Sequence, residues 1–169
     1  SSDLTMDQAE RTLQSRQAVL AEIEVLQEIT SAVVRERNVR RLLEQVLEIL
    51  ERKMGMLRGT FCLLEGDELR IEATSSSLDA DEKAHGRYRI GEGVTGIVAK
   101  TGRAEIVPDV RKDRRFLNRT GARAENEAVS FICVPLTHLG QVIGTLSVDR
   151  AIRPESGALG RDVALLNII

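Results

Sequence analysis

A glycine-rich hexapeptide, Gly91–Gly96, is the first feature that suggests chemistry, because its spacing is G-x-G-x-x-G. In dinucleotide-binding folds such a loop follows a buried apolar strand, opens a helix and binds the pyrophosphate. Here the preceding Arg87-Tyr88-Arg89 is charged, and the flanking segments favour antiparallel hairpins over a βαβ unit. Asp109 lies about where a ribose-binding acid is expected, but in a polar stretch. We therefore predict that the glycines allow a tight turn into a helix lying against a sheet.

Basic side chains dominate the segment from Arg111 to Arg123, which contains six arginines or lysines and one acid, Asp113. An arginine guanidinium can bind both oxygens of a carboxylate or phosphate at once. The segment is therefore either a mobile lid over a small anionic metabolite or a solvated loop. In the second case Asp113 caps a short turn and Arg115 pairs with a surface acid.

Two cysteines and two histidines are further candidates for a reactive thiol or a transition-metal site. Cys62 and Cys133 each lie inside an apolar run, which predicts reduced, buried thiols rather than reactive thiolates. The histidines are far apart and lack an acidic ligand pattern, so we predict no metal site and no cofactor. The sequence also lacks G-x-x-x-x-G-K-[ST], so it is not expected to hydrolyse ATP, and no enzyme activity is predicted.

The charge balance excludes some partners. The net charge is −2, from 24 basic and 26 acidic residues, which argues against nucleic-acid contact and against binding to an acidic membrane.

No apolar run is long enough to cross a bilayer and the start has no signal-peptide pattern, so we expect a cytoplasmic protein. The apolar helical pattern at Leu165–Ile169 has no stop signal, which predicts a fragment whose last helix is truncated.

A long helix is predicted at the beginning of the chain, since residues from Met6 to Val34 contain neither Gly nor Pro. Its apolar residues recur at steps of three, four and seven, as on one helix face. Such a face needs a partner, either a second copy of the chain or the body of the domain, and we favour a homodimer. The predicted dimer interface consists of Leu13, Leu20, Ile23, Leu26 and Ile29.

The remainder of the chain predicts an α+β domain. A second helix follows Asn38, and two hairpins turn at Glu65–Glu68 and at Leu139-Gly140. Consecutive hairpins require antiparallel pairing, and helices near the chain ends can cover one face of the sheet. We divide the chain into an N-terminal signalling or dimerisation helix, residues 1–37, and a domain of residues 38–169.

The segment Tyr88–Val98 resembles the G-E-G-x-x-G region of GAF domains. Residues 106–110, Asp113–Phe116 and Phe131–Val148 are similar to further GAF segments in the same order. The string Arg115–Gly121 most resembles the N-terminal regulatory domain of Nif-specific regulatory proteins (NifA), which belong to the sigma-54-dependent activator family. The resemblance implies a signal-input domain with an antiparallel sheet of about six strands, helices on one face and a ligand cavity under the middle segment.

The same resemblance implies a role and a site. In that family the domain precedes an AAA+ ATPase that remodels sigma-54 RNA polymerase, so we expect a regulator of nitrogen-fixation transcription. Tyr88, Thr95, Phe116 and Phe131 would line the cavity by family position, unless they are ordinary core residues. With Thr145, Asp109 and Arg115 they form the candidate ligand-binding set.

Several functional alternatives remain open at this stage. The effector is expected to be a small anion such as 2-oxoglutarate or a nucleotide. The domain could instead bind a protein partner, of the PII or anti-activator type, or serve only for dimerisation. Some GAF domains reduce free methionine sulfoxide with cysteines, but that chemistry needs an exposed thiolate and a resolving thiol. The positions of Cys62 and Cys133 inside apolar runs disfavour it.

Overall fold

The computed structural model describes residues 2–152 and 157–169, and places five α-helices and six β-strands in them. In chain order the elements are α1 (Ser2–Arg35), α2 (Val39–Met54), β1 (Leu57–Glu65), β2 (Glu68–Thr74), α3 (Ala80–His85), β3 (Tyr88–Arg89), α4 (Gly93–Thr101), β4 (Glu105–Val107), β5 (Val129–His138), β6 (Gln141–Ala151) and α5 (Ala158–Ile168). A 3-10 turn, Val110–Lys112, follows β4.

The strands form one sheet in the order β3-β2-β1-β6-β5-β4, and every neighbouring pair is antiparallel. The hairpin between β5 and β6 closes between His138 and Gln141. Leu139 and Gly140, the two residues between them, both have positive φ (50° and 76°), as the tight turns that match strand twist require. The α+β fold with an antiparallel six-stranded sheet, predicted from the sequence, is confirmed.

The two faces of the sheet are covered by different elements. Because side chains alternate along a strand, Leu146 and Val148 of β6 lie on one face, in a core shared with α1, α2 and α5. Thr145, Ser147 and Asp149 lie on the other face, which α4 and residues 113–128 cover. We call the first the helix face and the second the cavity face.

The second half of α1 packs against the domain, whereas the first half presents apolar side chains to solvent. Ile29 is buried in the core and Leu26 packs against it, but Leu13, Leu20 and Ile23 are 57%, 59% and 44% exposed. Leu20 and Ile29 are nine residues apart, about two and a half helical turns, so they lie on opposite sides of α1. The five residues therefore do not share one face, and Ile29, which the domain itself covers, is not available to a dimer interface. A dimer interface at the exposed residues stays a prediction.

Helix α5 is attached to the sheet by a buried ion pair. Nε and Nη2 of Arg150, on β6, donate to the two oxygens of Asp162 at 2.8 and 2.7 Å. Arg150 also donates to the carbonyl of Met54, the last residue of α2. One strand residue thus connects both helices to the sheet. Within the described residues no helix combines the length and the apolar character that crossing a bilayer requires.

Candidate functional site

The glycine hexapeptide positions helix α4 against the edge of the sheet. Gly91 and Gly93 have φ of 86° and 63°, which side chains rarely tolerate. A Cβ on Gly96 would lie 2.3 Å from the carbonyl oxygen of Arg89, so only glycine allows α4 to approach β3 this closely. The result is the tight strand-to-helix turn expected from the sequence, and it places Val94 and Thr95 over the cavity face.

Residues 113–128 cross the cavity face without forming a helix or strand. Their first turn is held to α4, since the backbone N–H of Val94 donates to the carbonyl of Arg115 at 3.2 Å. The Phe116 ring then meets the Phe131 ring of β5 edge to face, with centroids 5.0 Å apart. This packing fixes the segment over the middle of the sheet.

A small, partly open cavity lies between the cavity face, α4 and residues 113–128. Its free volume is about 40 Å³, room for roughly three water molecules. The aromatic rings of Tyr88, Phe116 and Phe131 line it on several sides. The other lining residues include hydroxyl-bearing and cationic side chains: Thr60, Ser76, Thr95, Thr120, Ser147, Arg58 and Arg123.

A network of arginines and acids borders the cavity. Asp149 is fully buried in the central strand β6. Its carboxylate accepts hydrogen bonds from Nε and Nη2 of Arg123 at 2.7 and 2.6 Å, and from Nε of Arg58 at 2.6 Å. Nη2 of Arg58 also donates to Glu127 at 2.5 Å. Partial burial by itself would raise the pKa of Glu127, but the hydrogen bonds from Arg58 and the Ala124 N–H outweigh it and leave this pKa below its usual value.

The guanidinium of Arg123 is further positioned by aromatic rings. Its central carbon lies 4.8 Å from the centroid of Phe116 and 5.5 Å from that of Phe131. At these distances the negative ring faces attract the cation. Arg123 is therefore fixed by a buried carboxylate and by two rings that themselves line the cavity.

The structure brings five of the seven candidate ligand-binding residues to the cavity face. Tyr88, Thr95, Phe116 and Phe131 line the cavity. Thr145 is fully buried on the same face beside the thiols of Cys62 and Cys133, and its hydroxyl has no nitrogen or oxygen partner among the described residues.

The remaining two candidates, Asp109 and Arg115, lie outside the cavity wall. Asp109 caps the 3-10 turn, and hydrogen bonds from Arg111 lower the pKa of its carboxyl to about 2. The side chain of Arg115 is 45% exposed and donates to Asp113 and Glu105. The hydrogen bond from Arg115 lowers the pKa of Asp113. Both candidates therefore already have ionic partners.

Arg58, Arg123 and Asp149 were not singled out from the sequence. Arg123 belonged to the basic segment, but nothing distinguished it there from five other cations. Arg58 carries no sequence signal. Asp149 does carry a sequence signal. It continues the alternation of polar residues, Thr145 and Ser147, on the face opposite Leu146 and Val148. A carboxylate at the third polar position of a central strand indicates a buried cationic partner.

The two cysteines are neighbours of the cavity but are not activated. Burial raises the pKa of Cys62 to about 12 and that of Cys133 even further. Cys62 is paired with Thr145 and Cys133 with Ser147, so strand β6 lies between them. Two strand spacings separate their backbones by roughly 9–10 Å, beyond the reach of a disulfide. Across the described ranges, no three His, Cys, Asp or Glu side chains come together as metal ligands.

Comparisons with known proteins place this architecture. A protein-family profile described as "GAF domain" matches residues 36–169. The chain is 33% identical over 149 residues to nitrogen fixation protein VnfA of Azotobacter vinelandii, and 30% identical over 151 residues to the Nif-specific regulatory protein of Azospirillum lipoferum. These alignments cover 86% and 88% of this chain but 28% and 24% of the relatives. The chain thus spans about a quarter of the length of these relatives.

Solved structures give the same assignment. The A. aeolicus nlh2 GAF domain, described as being in an inactive state, aligns with a TM-score of 0.79 and 26% identity over 88% of this chain and 90% of that one. The free methionine-R-sulfoxide reductase from Neisseria meningitidis, solved in complex with its substrate, aligns with a TM-score of 0.68 and 25% identity. That alignment covers 87% of this chain and 86% of the reductase. The resemblance read from residues 88–148 is thereby confirmed, and the chain belongs to the GAF domain family.

Proposed function

We propose that this GAF domain is the signal-sensing regulatory domain of a sigma-54-dependent activator of nitrogen-fixation genes, and that it binds a small anionic effector in the cavity. The observation that carries the proposal is the position of two arginines, Arg58 and Arg123, in the wall of a cavity that also contains hydroxyl groups and aromatic rings. The relatives named as Nif-specific regulatory proteins support the biological setting.

The arginines retain capacity for a ligand. A guanidinium carries five N–H donors. The contacts with Asp149 and Glu127 use Nε and Nη2 of Arg58, and those with Asp149 use the same groups of Arg123. Within the part of the chain that the structure describes, the Nη1 group of each arginine makes no hydrogen bond. An anion that displaces one of these carboxylates would find the Nη1 donors in a largely buried setting, where charge-assisted hydrogen bonds are strong.

The output is proposed to pass through β6 to helix α5. Asp149 belongs to the cavity network, and the next residue, Arg150, binds Asp162 of α5 on the opposite face. A ligand that binds one arrangement of Asp149 and its arginines better than another shifts the population of that arrangement. The position of α5, and with it a downstream AAA+ ATPase, would respond.

A catalytic role like that of the sulfoxide reductases is not proposed. Reduction by cysteine needs a thiolate and a partner thiol within reach. In this chain burial holds the pKa of both thiols far above neutrality, and β6 separates them.

The proposal can be tested by thermal denaturation of the chain with 2-oxoglutarate, nucleotides, succinate and inorganic phosphate. A ligand that binds only the folded state raises the midpoint in a saturable manner. The variant R123K keeps the charge but loses the planar guanidinium group. We expect it to lower the affinity for the anion that stabilises the wild type by roughly tenfold. R103K, at an exposed arginine outside the cavity wall and outside residues 113–128, is the matched comparison and should bind as the wild type does. A flat response to the whole panel at millimolar concentrations would contradict the proposal.

A second function, homodimerisation through the first half of α1, is favoured by one observation. Leu13, Leu20 and Ile23 are exposed on the side of α1 that the domain does not cover. Their burial against a second copy would remove apolar surface from water. The double variant L13E/L20E should sediment as a monomer, while V39E, at an equally exposed apolar position of α2, should not change the sedimentation coefficient. An unchanged coefficient for L13E/L20E would exclude this dimer.

A further inference from the structure

Residues 113–128 are held to the sheet by two reciprocal ion pairs, which we call the double latch. In the first pair a cation of the segment, Arg123, binds an anion of the sheet, Asp149. In the second an anion of the segment, Glu127, binds a cation of the sheet, Arg58. Both arginines donate to Asp149, and Arg58 links this carboxylate to Glu127. Arg58 and Arg123 also line the cavity, so the double latch lies at its border.

The charges of the double latch cancel. Two guanidinium groups face two carboxylates, and the side chains are only 0–30% exposed. A third carboxylate brought into this setting would leave a net negative charge in a poorly hydrated place, which is strongly unfavourable. An organic acid can therefore bind the arginines well only if one of the two carboxylates leaves.

Glu127 is the carboxylate that can leave. Asp149 is fully buried, lies in a central strand and accepts three charge-assisted hydrogen bonds of 2.6–2.7 Å. Glu127 is 30% exposed, lies in the turn from Ala124 to Glu127, and has one arginine partner. Its release into water costs less, because the carboxylate would be fully hydrated after a small movement of that turn.

The backbone of Arg58 has a strained conformation, which suggests that the direction of its side chain is important for binding. Its φ is 47°, a left-handed conformation that is unfavourable for a residue with a side chain. It lies where the register between β1 and β6 is interrupted, between Leu57 and Thr60. Such strain is characteristic of ligand clamps, where the surrounding structure holds a side chain in a required direction.

The size of the cavity also indicates that a ligand must displace part of residues 113–128. With the latch closed, its free volume of about 40 Å³ suits water rather than a metabolite. The wall supplied by residues 113–128 includes Phe116, Leu117, Thr120 and Ala122. A ligand must displace part of this wall, and the Glu127 end is its more weakly held side.

We propose that the effector is a small organic acid whose carboxylate replaces Glu127 on Arg58, so that Glu127 acts as a built-in competitor that sets the sensitivity of the sensor. The inference rests on the proposed function, since it assumes that an anion enters the cavity. Arg58 is then the residue that selects a carboxylate, and Arg123 remains bound to Asp149 in both states.

The test is calorimetric titration of the chain with acetate, pyruvate, succinate and 2-oxoglutarate, each compared with inorganic phosphate. Three proteins are compared: wild type, E127Q and E125Q. Glutamine keeps the size of Glu127 and can still accept from the Ala124 N–H, so the turn is retained while the charge is removed. E125Q removes a charge two residues away, at an exposed position of the same segment. A thermal melt without ligand verifies that each variant is folded.

We expect E127Q to bind at least one of the carboxylates about threefold or more tightly than the wild type does, with E125Q unchanged and phosphate weaker than the carboxylate. Equal carboxylate affinity in wild type and E127Q would overturn the competitor role while leaving the anion sensor intact. Tighter binding of phosphate than of every carboxylate would contradict the proposal that the effector is an organic acid. Absence of binding to all three proteins would overturn the sensor proposal itself, and this inference with it.

Discussion

The two faces of the central sheet are formed by the same strands but contain different kinds of side chain. On the helix face, β6 contributes Leu146 and Val148, which are fully buried among aliphatic residues of α1, α2 and α5. On the cavity face the alternate residues of the same strand are Thr145, Ser147 and Asp149, and they are equally buried. Burial is thus the same on both faces, and only the chemistry differs.

This difference fits a helix face that serves packing and, as proposed above, a cavity face that serves binding. Aliphatic side chains stabilise a fold by leaving water, whereas a buried hydroxyl or carboxylate costs free energy unless it is fully hydrogen-bonded. The cavity face accepts this cost at three successive alternate positions of its central strand. The helix face also contains a buried ion pair, between Arg150 and Asp162, and that pair attaches α5.

The largest effect is expected at Asp149. The variant D149N removes the charge that balances Arg58 and Arg123, and both cations stay in a mostly buried setting. We expect the free energy of unfolding to fall by about 3–5 kcal/mol, measured by urea denaturation. As a control, E125Q removes one acid from the exposed surface and should change it by less than about 0.5 kcal/mol. A loss below 1 kcal/mol for D149N would show that the network is hydrated and that the two faces are less different than described.

The helix face should respond to lost volume instead of lost charge. L146A removes three carbon atoms from a fully buried position between β1 and β5, and should lower the free energy of unfolding by about 3 kcal/mol. S147A, at the next residue on the cavity face, should change it by less than about 1 kcal/mol. Similar losses for the two variants would contradict the contrast between the faces.

Thr145 tests whether a buried polar group on the cavity face serves stability or binding. Its buried hydroxyl has no nitrogen or oxygen partner in the described structure and lies beside the thiols of Cys62 and Cys133, which are weak hydrogen-bond partners. T145V should therefore change the free energy of unfolding by no more than about 1 kcal/mol. If the hydroxyl is kept for a ligand, the same variant should weaken anion binding. T137V, on the less buried end of β5, is the control for a threonine-to-valine change in a strand. A clear loss of stability in T145V would mean that the hydroxyl has a structural partner.

The sequence predicted the fold well wherever a local pattern determined it. Alternating residues around Leu139-Gly140 predicted the β5–β6 hairpin, and the glycines at 91–96 predicted the turn into α4. The residues around the cavity were harder to find because their partners are distant in sequence. Asp149 meets Arg58 and Arg123 across 91 and 26 residues, and no local periodicity encodes such a pairing.

Helix α1 shows the same limit. Periodicity placed Leu20 and Ile29 in one apolar set, but it does not tell which side of a helix its own domain covers. Arg115 shows a similar limit for charged residues. Its position in a basic segment predicted a ligand contact, but the segment alone does not tell that Asp113 and Glu105 lie near enough to bind it. Whether Arg115 contacts an effector stays a prediction.

The central claim, that the cavity face is the effector site, is tested most directly by hydrogen–deuterium exchange of the chain with and without the anion that raises its thermal midpoint most. We expect ligand-dependent changes in residues 57–63, 113–128 and 145–150, with a smaller effect in α5. Changes confined to α1, or exchange that is identical with and without the saturating anion, would contradict the claim.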